Sequence, residues 1–106
     1  MADLPKPPQT FLDFAARFPK LKEGWESIAE AGRDGPLDER TARLVKLAVA
    51  VGAMREGAVH ASVRKARALG IPDEAVEQVV ALAAGTIGLP AAVAAWSWTR
   101  DPGEQR

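Results

Sequence analysis

From Val79 to Thr99 the chain reads VVALAAGTIGLPAAVAAWSWT, without one charged residue. No other stretch constrains the fold as hard. The run is long enough to cross roughly 30 Å of hydrocarbon, yet nearly half of it is alanine or glycine and GTIGLP interrupts its middle. Glycine and proline there would break a spanning helix, so two short consecutive helices are expected and a membrane span is not. Helices that are apolar nearly all round must be covered on every side. A chain of 106 residues has little other mass with which to cover them. A further copy of the same chain is the expected cover.

The composition, 47% apolar, suffices for the core of one small domain without covalent staples. Fourteen basic residues balance fourteen acidic ones, so no global field draws the chain to nucleic acid or to an anionic membrane, and neither partner is expected. The opening MADLPKPPQT lacks the apolar core of a secretion signal, and a cytoplasmic location is expected. With no cysteine there can be no disulfide, no thiolate metal site and no redox-active thiol. The single histidine, His60, stands among scattered carboxylates that give no zinc or iron spacing, so neither a metal nor a cofactor is expected.

Residues 1–9 are proline-rich and read as an extended arm, because Pro5, Pro7 and Pro8 cannot donate backbone hydrogen bonds. Residues 10–99 read as one all-α domain of about six helices, and residues 100–106 as a frayed tail. Phe11, Phe14, Ala15 and Phe18 recur at helical spacing after Thr10, a cap candidate, and Pro19 closes that helix. Pro19 can equally open the next one, where Leu21, Trp25 and Ile28 form a stripe that Gly32 ends. Asp38 can cap the following helix, whose run from Leu44 to Met54 is interrupted only by Lys46. Val59, Val63 and Ala66 form the stripe of a fourth helix stopped by Gly70. Pro72, Asp73 and Glu74 open a fifth that runs to about Ala84, before Gly85, Gly88 and Pro90 break the chain ahead of a last helix ending near Trp98.

Glu56, His60 and Arg64 stand at i, i+4 and i+8, stacking a carboxylate, an imidazole and a guanidinium along one helical face. Two readings fit. In the catalytic one, Glu56 holds the imidazole in one tautomer, His60 shuttles a proton and Arg64 grips a substrate carboxylate. In the other the three make an ordinary solvated face of mixed charge. Trp25, Trp96 and Trp98 likewise either line an aromatic pocket or anchor core and interfaces.

An aromatic–proline pair, Trp25, then GPLDERTARLVKLAVAVGAM and VRKARALGIPDEAVEQVVALA resemble, in that order, the carboxymuconolactone decarboxylase family, which includes the alkylhydroperoxidase D-like proteins. The likeness covers about Phe11 to Trp98 and is densest from Leu37 to Val80. It implies an all-α fold and a trimer, or a trimer-like ring doubled to a hexamer. Aligned without gaps, the two cysteines of the peroxidase branch fall on Arg55 and Ala58, its histidine on Ser62 and its relay glutamate on Arg43. Thiol peroxidase activity is therefore not expected. The decarboxylase branch has an arginine–glutamate pair that corresponds to Arg55 and Glu56, whereas its histidine again falls on Ser62. His60 lies two positions earlier, about 200° away around a helix.

In the enzyme reading, His60 and Glu56 are catalytic and Arg43, Arg55, Ser62 and Arg64 bind substrate, in a thiol-free lyase or isomerase that resembles the decarboxylase branch and acts on a small organic acid or lactone. Arg55, near a helix N-terminus, either pairs with Asp38 or Glu39 of this or another subunit or holds a bound carboxylate. The alternative to the enzyme is a non-catalytic oligomer that keeps the fold and binds a ligand or only itself.

Overall fold

A computed structural model describes residues 9–100, which form six α-helices and, among the described residues, no strand. They fall into two compact units, one ending at Leu37 and one beginning at Asp38. Of the arm expected over 1–9, only Gln9 is described, and it already opens a helix; of the tail over 100–106, only Arg100 is described.

The first unit holds α1 (Gln9–Arg17) and α2 (Pro19–Arg33). Thr10 lies inside α1 and so does not cap it. Phe18 leaves helical geometry at φ −128°, ψ 72°, while its N–H still donates to Phe14 O (2.9 Å) and its carbonyl accepts from Leu21 N (3.0 Å). Pro19, which has no N–H to waste, then starts α2. The rings of Phe14 and Phe18 sit 5.0 Å apart, and Arg17 lies over Phe18. The α2 stripe of Leu21, Trp25 and Ile28 is exposed, at 56%, 60% and 67%. Gly32 does not end α2: a lone glycine costs only about 1 kcal/mol in a helix, and α2 continues to Arg33.

The second unit holds α3 (Glu39–Gly52), α4 (Glu56–Ala68), α5 (Asp73–Ile87) and α6 (Leu89–Thr99). Helix α3 packs on α4 and α5, and α6 packs on α5 and α4. Leu47, Val51, Val59 and Val63 are fully buried at the centre, each contributing on the order of 1.5–3 kcal/mol. Ala66, Ile71, Val76, Val80 and Ala95 extend that core.

The helix ends follow from local chemistry. Asp38 caps α3 by accepting from Thr41 N at 2.7 Å. Helix α4 ends with Gly70 at φ 79°, where Gly70 N donates to Arg67 O and Ile71 N to Ala66 O, both at 3.0 Å. Those bonds satisfy the last carbonyls, and Ile71 seats in the core. Helix α5 passes through Gly85 and ends at Ile87, three residues beyond the expected end near Ala84, with Gly88 as its C-cap. The break needs the conformation φ 90°, ψ 156°, which is open to glycine and not to a residue with a Cβ. It divides the uncharged run between the C-terminal part of α5, Val79 to Ile87, and the 11 residues of α6. Among the described residues no helix is long and apolar enough to cross a membrane.

Candidate functional site

Helix α4 carries most of the candidate residues and sorts them onto two flanks. Its inner face is Val59, Val63 and Ala66, all fully buried. At about 100° per residue, Glu56, His60 and Arg64 fall on one side of that face. Ser62, Ala58 and Lys65 fall on the other. The helix geometry therefore separates the Glu56–His60 pair from Ser62.

On the first flank, Glu56 Oε2 stands 3.3 Å from His60 Nε2. The imidazole side chain is 15% exposed and the carboxylate 57%. Glu56 sits in the first turn of α4, where the helix dipole favours a carboxylate. In the tautomer with Nε2–H the ring would donate to that carboxylate, an arrangement compatible with proton transfer by a histidine. Arg64, half-buried, stands one turn further along the same flank. Arg67 follows but has structural work: its Nε donates to Asp73 Oδ1 and its Nη2 to Thr99 O, both at 3.3 Å, joining α4 to the start of α5 and the end of α6.

On the second flank Ser62 is buried, at 7% exposure, beside the seam of α3 and α4. Arg43 stands on α3 across that seam. Its Nε is shielded from solvent and has no hydrogen-bond acceptor among the described residues. Burial pushes the guanidinium pKa down from its ordinary value, and Glu39, one turn earlier, opposes that shift. Lys65 is also pushed down, first by burial and then by the positive charges of Arg43, Lys46 and Arg64. Lys46 and Lys65 are absent from the expected site. A signal for one of them existed, since Lys46 is the lone charge in an otherwise apolar run, but the convergence of the cations depends on how α3 meets α4.

Arg55 stands apart from both groups. Helix α3 ends in a left-handed residue, Met54 at φ 54°, with Met54 N donating to Val51 O (3.0 Å) and Arg55 N to Ala50 O (3.1 Å). A non-glycine residue is uncommon there. The turn delivers Arg55 to the N-cap of α4, where it is exposed and its side chain makes no cap bond. Asp38, one of its two expected carboxylate partners, is engaged instead with Thr41.

The second unit also has an open groove of about 340 Å³ lined by Ala48 and Gly52 of α3 and by Val79, Leu82, Ala83, Thr86 and Ile87 of α5. None of the expected site residues lines it. Its single polar side chain is a threonine, so it offers shape and apolar contact without acid–base chemistry. On α6, Trp96 Nε1 donates to Glu77 Oε2 (3.1 Å) and Arg100 lies 4.2 Å from the centre of the Trp96 ring. Trp98 packs against the core. Both α6 indoles thus have structural partners.

Compared with models of protein families, residues 19–101 match that of the carboxymuconolactone decarboxylase family. No curated protein and no solved structure matches the chain.

Proposed function

Since the chain belongs to the carboxymuconolactone decarboxylase family, we propose that it acts on a small organic acid or lactone as a thiol-free lyase or isomerase. The chain has no cysteine, so the thiol route is closed to it. The observation that carries the reading is the 3.3 Å contact between Glu56 and a largely covered His60.

In this scheme Arg64, on the His60 flank, holds a substrate carboxylate by charge-assisted hydrogen bonds. Arg55 and Arg43 are the other candidates for that hold, and Ser62 is a candidate polar contact. In the lyase form, the bond from carbon to a second carboxylate breaks, carbon dioxide leaves, and the electron pair passes into a conjugated carbonyl as an enolate. The imidazolium of His60 then protonates the enolate carbon and recovers its proton from solvent, while Glu56 holds the ring. In the isomerase form, the same imidazole removes a proton next to a carbonyl and returns it elsewhere along the conjugated system.

The protein works in this proposal as a cytoplasmic homo-trimer or homo-hexamer, needing no metal or other cofactor. Support for self-association comes from Leu82, Leu89 and Val93, exposed at 72%, 71% and 55% on α5 and α6. Those same side chains favour a second reading, a non-catalytic oligomer that binds an apolar ligand in the groove between α3 and α5.

A thermal-shift screen of small carboxylic acids and lactones finds the ligand class, because a ligand of the folded state raises its melting temperature. Each hit is then incubated in deuterium oxide with the wild type and with His60→Gln. Wild-type-dependent deuterium incorporation or loss of carbon dioxide that disappears in the variant supports the lyase or isomerase. Binding without either, in both proteins, leaves the non-catalytic reading.

A further inference from the structure

Across α4 from the Glu56–His60–Arg64 flank, Lys46 and Lys65 have no part in the proposed reaction, and Arg43 is one of three arginine candidates for its carboxylate. Arg43 and Lys46 lie one turn apart on α3, and Lys65 faces their charge from α4. Glu39 is the carboxylate whose charge reaches Arg43. These three cations, with the charge of Arg64 also reaching Lys65, outnumber that one carboxylate. Like charges gathered where water is partly excluded repel one another. Arg43 Nε adds a second, independent sign, because a shielded N–H without an acceptor is a rare and unfavourable arrangement in a folded chain.

Both features are relieved by the same thing. An oxyanion in the seam would accept from the Arg43 guanidinium and favour the charged form of Lys65, and more than one negative charge would offset the crowded cations. We propose that Arg43, Lys46 and Lys65 form a binding site, on the seam of α3 and α4, for a small oxyanion carrying two or more negative charges. Inorganic phosphate and a short dicarboxylate share that chemistry. Arginine supplies directional donors and the two lysines supply mobile point charges, so the site selects charge and size more than shape. The site stands on the flank away from His60 and does not rest on proton transfer by that residue.

The test uses isothermal titration of the full-length protein with sodium phosphate and, separately, with sodium succinate, each at fixed ionic strength set by sodium chloride. Saturable binding of either anion is expected, and the anion that binds identifies the source. Lys65→Gln, an exposed substitution that leaves the core intact, is expected to weaken binding about tenfold or more, as is Arg43→Gln. His60→Gln is expected to bind like the wild type, whatever it does to turnover. Failure of both anions to bind, or equal affinity in the wild type and Lys65→Gln, would overturn the proposal.

Discussion

Glu56 Oε2 and His60 Nε2 lie 3.3 Å apart, one turn from each other on α4, with the ring largely covered and the carboxylate open. A pair of this kind contributes only about 0.2–0.5 kcal/mol to a helix, and glutamine keeps polar atoms and much of the bulk of the covered ring. Replacing His60 by glutamine is therefore expected to keep the melting temperature within a few degrees. If the pair handles protons, kcat on any substrate found should fall by about 10²–10⁴. Unchanged kcat removes His60 from the mechanism, and a large loss of stability assigns it to the fold.

No turnover of an alkyl hydroperoxide by the purified, metal-free protein is expected, because its methionines cannot cycle through a disulfide. The triple variant Arg55→Cys, Ala58→Cys and Ser62→His restores the spacing of the peroxidase branch. Since Ser62 is buried, the larger imidazole should cost about 1–3 kcal/mol in packing. A peroxide assay in the presence of a thiol reductant, with the wild type as control, measures whether spacing alone suffices while Arg43 occupies the relay position.

Asp38 gives a prediction with a sign. The Thr41 backbone N–H, helped by the Thr41 hydroxyl and by Arg40, holds its carboxyl below the ordinary value of 3.8. A carboxylate with a depressed folded-state pKa contributes stability that is fully present above its unfolded value and lost as pH falls through its folded value. The cap should thus support α3 at neutral pH and weaken below about 3.8. Asp38→Asn keeps a neutral capping oxygen, so its melting temperature should lose this acid dependence. Thermal melts of the wild type and the variant between neutral pH and strong acid are expected to converge at the acid end.

Much of the fold was legible because its punctuation is local. Pro19, Asp38, Gly70 and Pro72 act through their own backbone and nearest neighbours, and each stands where its chemistry requires. Gly85 and Gly88 were indistinguishable by residue type; only the tertiary path puts the positive φ at Gly88. The same division runs through the site. The contact of Glu56 with His60 is a matter of helical spacing, whereas the burial of Ser62 and the shielding of Arg43 Nε depend on packing across α3 and α4. Helical periodicity gave the two flanks of α4 but could not say which flank another helix would charge.

Self-association is the remaining expectation, and side-chain exposure now names where to test it. Of the apolar side chains in and around GTIGLP, Val80 is buried, and Val79, Ile87 and Trp98 are packed against the core. Leu82, Leu89, Val93 and Trp96 are exposed. Burying four such side chains between subunits would contribute on the order of 6–12 kcal/mol per chain before association costs. A trimer or hexamer is therefore expected by light scattering at micromolar concentration, and a stable species near the chain mass of 11.3 kDa would sink the proposal. The two classes of residue should also respond differently to a charge. Ile87→Glu should unfold or aggregate the protein, because Ile87 belongs to the packing within the chain and a buried carboxylate is costly there. Leu89→Glu places its charge on a side chain that is 71% exposed in the single chain, so it should lower the oligomeric state while circular dichroism retains the helical signal. If Leu89→Glu leaves the assembly intact, the subunits meet through another surface.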